Sequence, residues 1–264
     1  MKNLLTLLFL FQLFVSQSQT LNNARSTGMG NLSTVFTDQN ALFNNQAGLS
    51  DVTSPVVLAG IERRFWWGEV NLAGMGLALP TSSGTFGLTF QNFGFSEYSL
   101  QKTGLAYARN LWSSIRIGGQ LDYIRVAIPD YGSQGALSFE LGLQADLSKE
   151  LVIATHVSHP YQVELLDGEK WPTIFQMGLL FKASPKAIIG LEVEKDIDFP
   201  LRLKCGVEYL PAEKLSIRTG YSSDPANFHF GLGFHAGDKL SIDLGNRYDL
   251  SLGLATCLGV GYVF

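Results

Sequence analysis

An all-β fold is predicted by this sequence: an antiparallel transmembrane β-barrel of about fourteen strands, with a small N-terminal hatch or plug ahead of it. Three observations carry that expectation. The chain is 46% hydrophobic and 16% charged, yet beyond its first residues no apolar run approaches the roughly 20 residues that a spanning helix needs. From Pro55 to Phe264 apolar residues recur with period two, the mark of strands whose two faces meet different surroundings. Every second connection between these runs is tight, as expected when one rim of a barrel carries short turns and the other longer loops.

The N-terminus sets the compartment. Met1-Lys2-Asn3 is a short positive start, Leu4 to Val15 is apolar apart from Thr6 and Gln12, and Ser16-Gln17-Ser18 supplies small residues for cleavage ahead of Gln19. Residues 1–18 therefore read as a secretory signal peptide. The apolar run of about a dozen residues is too short for a membrane anchor. The two cysteines, Cys205 and Cys257, lie far from the cleavage point, so no lipoprotein anchor is expected. Strand parity puts Cys205 on the outer face and Cys257 on the inner one, which argues against a disulfide. The net charge of −4 argues against nucleic acid as a partner.

Residues 19–54 differ in composition from the rest of the chain, being rich in Asn, Gln, Ser and Thr. They are expected to form the hatch, and residues 55–264 the transmembrane barrel. Fourteen runs bounded by turn residues are read as strands at roughly 56 to 65, 69 to 79, 84 to 94, 98 to 109, 113 to 127, 135 to 147, 150 to 158, 173 to 183, 186 to 197, 200 to 210, 214 to 222, 228 to 236, 239 to 248 and 251 to 264. An even number brings both ends of the barrel to one side, the periplasmic side in a bacterial outer-membrane barrel. The tight connections are Pro80 to Ser83, Asn110 to Trp112, Leu147 to Lys149, Ser184-Pro185, Pro211 to Glu213 and Gly237-Asp238, while Pro129 to Gln134 and Tyr161 to Pro172 are the longest of the others. Trp66, Trp67, Tyr98, Trp171 and Tyr248 at one edge and Trp112 and Tyr209 at the other are expected to form interfacial girdles.

The last strand shows the alternation most clearly. Leu252, Leu254, Leu258, Val260, Tyr262 and Phe264 share one face, and Gly253, Ala255, Cys257, Gly259 and Gly261 share the other. Tyr262 and the terminal Phe264 resemble the C-terminal signal that the barrel-assembly machinery of Gram-negative envelopes recognises. Elsewhere the hidden face is charged. Glu192, Glu194 and Asp196 stand opposite Arg202 and Lys204 on the next strand, with Arg116, Asp122, Glu140, Asp146, Glu208, Arg218, Asp243 and Arg247 on inner faces elsewhere. Mixed signs within one hairpin predict cross-strand pairs that tie hatch to wall; a conducting pore would more often segregate them.

Within the hatch, Arg25, Gly28, Met29 and Gly30 are followed by Asp38 and then by Ala41, Phe43, Asn45, Ala47, Gly48 and Leu49. The spacing resembles the hatch of FadL-like outer-membrane barrels, in particular the branch that includes PorV and PorQ of Bacteroidetes type IX secretion. In that branch an Ala-Arg-x-x-Gly-Met-Gly opening precedes an Asp-rich turn and an Ala-x-Phe-x-Asn-Pro-Ala-Gly-Leu lead into the first strand. The resemblance covers about thirty residues in detail, and it implies a plugged barrel working with an outer-membrane protein partner. Two departures stand out. Gln46 occupies the usual proline position, where a fixed φ would stop the hatch helix, so a looser turn is expected. The barrel is also small: about fifteen residues per strand and its connection barely exceed the 9 to 11 needed to cross, leaving little loop for an external capture site.

Signs of catalysis are weak. Gly28-Met29-Gly30 lacks the third glycine and the lysine of a phosphate loop. His156 and Ser158 share an inner face near the loop rim, but a lipolytic triad also needs a carboxylate or amide, and Glu164 and Asp167 are the candidates along the chain. His229 and His235 are six apart on one strand, too far to chelate one metal unaided. No enzyme activity, cofactor or metal is expected. Two functional readings remain. One is a non-catalytic accessory or scaffold barrel of a secretion or surface-attachment complex, favoured by the short loops and the charge-paired lumen. The other is a passive transporter of hydrophobic compounds that opens sideways where a strand kinks, with Gly94 in Asn92-Phe93-Gly94-Phe95 as the candidate lateral opening.

Overall fold

The computed structural model describes residues 21–64, 71–161, 163–166 and 169–264. The signal peptide, Gln19 and Thr20, Trp66, Trp67 and Asp167 lie outside these residues. The described chain begins with helix α1 (Ala24–Gly28) and two 3-10 turns, Gln39–Phe43 and Gln46–Asp51. Strands β1 (Val56–Arg63), β2 (Asn71–Thr81), β3 (Gly84–Phe95), β4 (Tyr98–Trp112), β5 (Ile115–Ile128), β6 (Gly132–Asp146) and β7 (Leu151–Ser158) follow. A small hairpin of β8 (Glu164–Leu166) and β9 (Glu169–Lys170) sits in the longest loop. Then come β10 (Ile174–Ser184), β11 (Ala187–Asp196), β12 (Arg202–Ala212), β13 (Leu215–Ser222), β14 (Asn227–Ala236), β15 (Leu240–Asp249) and β16 (Gly253–Val263).

Among the described residues fourteen strands close into one antiparallel barrel, each paired with its sequence neighbour and β1 paired back onto β16. Val56 faces Val263 and Arg63 faces Thr256 in that closing pair, and Phe264 N donates to Pro55 O at 3.0 Å just below it. Closure leaves no strand edge unpaired, which a backbone in hydrocarbon requires. The observed strands match the expected ones within a few residues, with two differences. The expected loop from Pro129 to Gln134 shrinks to residues 129–131, because Gly132, Ser133 and Gln134 pair with Ile128, Ala127 and Val126. The stretch from Tyr161 to Pro172, expected to be plain loop, carries the β8–β9 hairpin.

The alternation places apolar side chains outward. Phe228, Phe230, Leu232 and Phe234 are each about half exposed, while His229 between them is buried. In water such a surface would drive aggregation; around a barrel it is the belt that meets lipid. The strands are unequal in height. β4 and β6 have 15 residues and β5 has 14, against 8 for β7 and β13. Roughly 9 to 11 tilted residues cross a bilayer, so β3 to β6 raise one side of the wall at the loop end.

The hatch fills the lumen at the turn end, because the wall offers glycine where the hatch backbone passes. A Cβ on Gly206 would lie 2.4 Å from Met29 O, and one on Gly220 would lie 2.3 Å from Gly30 N. Gly30 itself has φ +76°, a turn conformation that disfavours any other residue. Met29 is fully buried at this contact.

Candidate functional site

The lumen is layered from the turn end upward, and each layer is set by which residues the strands turn inward. At the bottom, Asn23 caps α1 by accepting from Ser26 N at 2.8 Å, which starts the helix as expected of Asn at an N-cap. The helix points Arg25 at the wall, where it donates to Glu208 Oε1 at 2.6 Å and Oε2 at 3.0 Å and pairs with Asp38. Burial opposes the guanidinium charge, but Glu208 and Asp38 outweigh it and raise Arg25 above its ordinary range. Arg218 joins Glu208 to Asp243, at 2.5 Å from Asp243 Oδ1. Gly28 lies flat against β14, where a Cβ would stand 3.0 Å from Gly231 Cα.

A second lock lies beside it on β11 and β12. The Glu192 carboxylate accepts from Ser33 N, Ser33 Oγ, Thr34 N and Thr34 Oγ1, all at 2.8–2.9 Å. Lys204 Nζ lies 2.8 Å from Glu192 Oε1 and 2.6 Å from Glu194 Oε2, and it also donates to Asn31 O. Arg202 completes the row at 3.1 Å from Glu194. Asp196, expected in the same row, instead turns back to accept from Asp198 N. It is the last residue of β11, beyond the partner register that ends at Glu194 opposite Arg202.

The middle layer is the turn from Phe43 to Gly48. Asn45 caps it, accepting from Ala47 N at 3.1 Å while its amide donates to Thr34 O at 2.9 Å. The expected loosening at Gln46 is absent. The Asn45 cap starts the 3-10 turn without proline, and Gln46 Nε2 donates to Glu140 Oε2 at 2.8 Å while Gln46 Oε1 lies 3.1 Å from His156 Nε2. Gly48 is required because a Cβ there would stand 2.0 Å from Phe36 O. Phe43 and Ala47 are buried, Phe43 in the main apolar cluster of the lumen.

Above the hatch lies a polar shelf. Lys102 bonds Glu140 and lies 3.3 Å from Asp122 Oδ2. His156 Nε2 is 3.3 Å from Glu140 Oε2, and His159 Nε2 is 3.7 Å from Glu140 Oε1. His159 follows β7 rather than belonging to it; burial first, and then the Lys102 charge, lower it to about 3, so the ring is neutral. The carboxylate beside His156 is Glu140; of the two candidates the sequence offered, Asp167 lies outside the described residues. Glu140 faces Nε2, whereas Ser158 Oγ lies 3.4 Å from Nδ1. Glu140 is already engaged by Lys102 and Gln46, so it is tied into structure.

The top layer is apolar. Leu72, Phe93, Tyr98, Leu100, Ile124 and Val126 turn inward from β2 to β5 and are all buried. Val163, Leu165 and Trp171 of the loop hairpin close over them in the same cluster. Trp171 N donates to Val163 O at 2.8 Å, Thr173 Oγ1 donates to His159 O at 2.6 Å, and the Trp171 ring meets His159 edge-on at 5.9 Å. Two residues expected in the outer girdle are therefore inside. Tyr98 shares the parity of Leu100 and packs on Phe93 at 6.2 Å, and Trp171 is carried inward by its hairpin. Trp112, Tyr209 and Tyr248 are exposed, as a girdle requires.

This apolar layer is what sequence reasoning missed. Its signal lies in the strands: Phe93, Leu100, Ile124 and Val126 occupy inner-face positions that are polar one turn lower, at Gln91, Lys102 and Asp122. Loop length points away from a capture site, whereas here the tall strands supply an apolar interior. At Gly94, the candidate lateral opening, the ladder is continuous. It pairs with Asn71 on one side and Ser99 on the other, and neither register shifts there, because the ladder continues to Phe95 opposite Tyr98. Tyr262 and Phe264 lie on the outer face of β16, with their rings edge to face at 5.1 Å.

No protein-family model matches the chain, and neither does any curated protein. Solved structures do share its fold. The toluene transporter TbuX of Ralstonia pickettii is 10% identical with a TM-score of 0.77, over 94% of this chain and 99% of that one. The toluene transporter TodX of P. putida is 12% identical with a TM-score of 0.73, over 92% and 98%. A FadL homologue of Pseudomonas aeruginosa is 11% identical with a TM-score of 0.69, over 93% and 99%. At 10–12% identity these likenesses show a shared barrel fold.

Proposed function

We propose that this protein is a passive transporter of hydrophobic small molecules in the Gram-negative outer membrane, with its termini and hatch on the periplasmic side. The observation that carries this reading is the apolar layer of Leu72, Phe93, Leu100, Ile124 and Val126 beneath the loop hairpin. A hydrocarbon that enters beneath the hairpin would cover apolar surface there, worth about 25 cal/mol per Å². No catalytic step is involved. The resemblance of the fold to transporters of toluene supports the choice of cargo class. Uptake of labelled toluene by cells with an intact lipopolysaccharide leaflet tests it: expression should raise uptake, and Ile124→Glu should abolish the increase without removing the folded barrel. Equal uptake with and without the protein sinks the reading.

A second reading is supported by the hatch, which two buried ion-pair networks and a row of wall glycines hold in place. A barrel plugged this firmly suits an accessory or scaffold of an outer-membrane protein complex, as in the PorV and PorQ branch of type IX secretion. Recovery of a stoichiometric outer-membrane partner from native membranes, together with no gain in uptake, favours it.

A further inference from the structure

The shelf between hatch and apolar layer holds two buried carboxylates, Asp122 and Glu140, against one ammonium, Lys102. The remaining titratable groups that face it are His156 and His159. Two buried carboxylates this close do not both stay charged beside one ammonium without cost, so the shelf takes up either a proton or a further cation. Oxygen atoms at the same spot are also short of hydrogen bonds. Asp122 Oδ2 has only Lys102 Nζ as a partner, at 3.3 Å, and Gln120 Oε1 is buried without a hydrogen-bond partner, although Gln120 Nε2 is fixed on Asp122 Oδ1 at 2.7 Å. These two side chains are 0% and 5% exposed.

The geometry points to a divalent transition-metal site, with Asp122, Glu140 and His159 as ligands. One donor atom of each lies within 4.8 Å of the others. Ligands of a tetrahedral zinc ion stand at about 2.0–2.2 Å from it and so roughly 3.4 Å apart, so the donors must close in when metal binds. His159 is already oriented for the task. Its Nδ1 is held 2.9 Å from Ser138 Oγ, which leaves Nε2 turned to the carboxylates, the arrangement that fixes histidine ligands in metal sites. A set of two carboxylates and an imidazole suits Zn²⁺ or Co²⁺ better than the all-oxygen preference of Ca²⁺ or Mg²⁺. Lys102 stands in for the cation in the metal-free molecule and must swing aside when metal enters. The ligands come from β5, β6 and the residue after β7, and His159 carries the loop hairpin through Thr173 and Trp171. A bound ion would therefore clamp the roof onto the wall.

The full mature chain, folded in detergent and stripped with chelator, should bind one Co²⁺ or Zn²⁺ per molecule, with visible d–d absorption for Co²⁺. Hydrogen exchange of amides 163–171 should slow when Zn²⁺ is added. Asp122→Asn should weaken binding by more than about 100-fold and Ser138→Ala by about tenfold, while Lys102→Met should tighten it. Ser138→Ala leaves every charge in place and serves if the Asp122 variant does not fold, as read by circular dichroism. Absence of stoichiometric metal in both the wild type and Lys102→Met overturns the proposal. So does metal bound equally by Asp122→Asn, which would assign it to a surface group such as His235.

Discussion

Lys204 and Glu192 face each other across the β11–β12 hairpin at 2.8 Å, and the same carboxylate takes four hydrogen bonds from Ser33 and Thr34 of the hatch. A single wall residue therefore serves both a cross-strand ion pair and the docking of the plug. Removing Lys204 leaves Glu192 charged and buried with only neutral donors. Breaking such a pair costs about 3–5 kcal/mol. Lys204→Met should lower the denaturant midpoint accordingly, and a Glu192→Leu, Lys204→Met double variant should regain part of the loss. A single variant as stable as the wild type would falsify the lock.

The hatch also depends on bare backbone in the wall. Gly206→Ala places a methyl 2.4 Å from Met29 O, which the outward-facing belt does not feel. Barrel strand content by circular dichroism should persist while limited proteolysis begins to cut residues 24–36. Unchanged protease resistance would mean the hatch can shift to make room.

Gln46→Pro restores the residue usual in similar hatches. The turn itself should accept it, since Asn45 supplies the cap and proline is tolerated at the first position of a helical turn. The amide bonds to Glu140 and His156 disappear, at about 1 kcal/mol each. The expected result is a barrel less stable by roughly 1–3 kcal/mol in urea titration, and stabilisation would show that those bonds contribute nothing.

Trp171 is 9% exposed and should fluoresce at short wavelength, which is read in a chain whose other tryptophans are replaced by phenylalanine. Trp171→Ala should loosen the roof, speed hydrogen exchange of amides 163–166 and raise access of the apolar layer to a hydrophobic probe. An unchanged exchange pattern would place the hold on the roof elsewhere, at Val163 and Leu165.

Phe264 is 64% exposed at the end of β16, outside the lumen, so its loss removes only the hydrogen bond to Pro55 O and the ring contact with Tyr262. Deletion of Phe264 should leave refolding in detergent intact and lower the amount assembled in living outer membranes several-fold. Equal assembly would show that the barrel-assembly machinery reads another feature.

How much can be read from the chain depends on how local each feature is. Period-two alternation over Ser251 to Phe264 fixes which side chains share a face, and tight turns such as Gly237-Asp238 fix strand order, so the barrel is legible. The cross-strand rows are legible too, since Glu194 and Arg202 are joined by a short loop. Tyr98 and Trp171 are misplaced by sequence because an aromatic at a strand end suits lipid interface and lumen equally, and only the inward parity of β4 and the path of the β8–β9 hairpin choose between them. The partner of His156 cannot be read at all, because Glu140 reaches it across paired strands and Gln46 arrives from the hatch.

By itself the sequence determined the pattern of faces, the number of strands and the presence of a distinct hatch, because each depends on neighbours along one strand or one turn. Only the tertiary structure decided what fills the lumen. Closing β1 onto β16 brings strands far apart in sequence around one axis, and that closure sets which inner residues meet the hatch, which form the polar shelf and which become an apolar interior. Strand height decided the rest, since β3 to β6 form the tall side of the wall and the β8–β9 loop closes over their apolar inner faces, whereas loop length alone suggested there was nothing to cover.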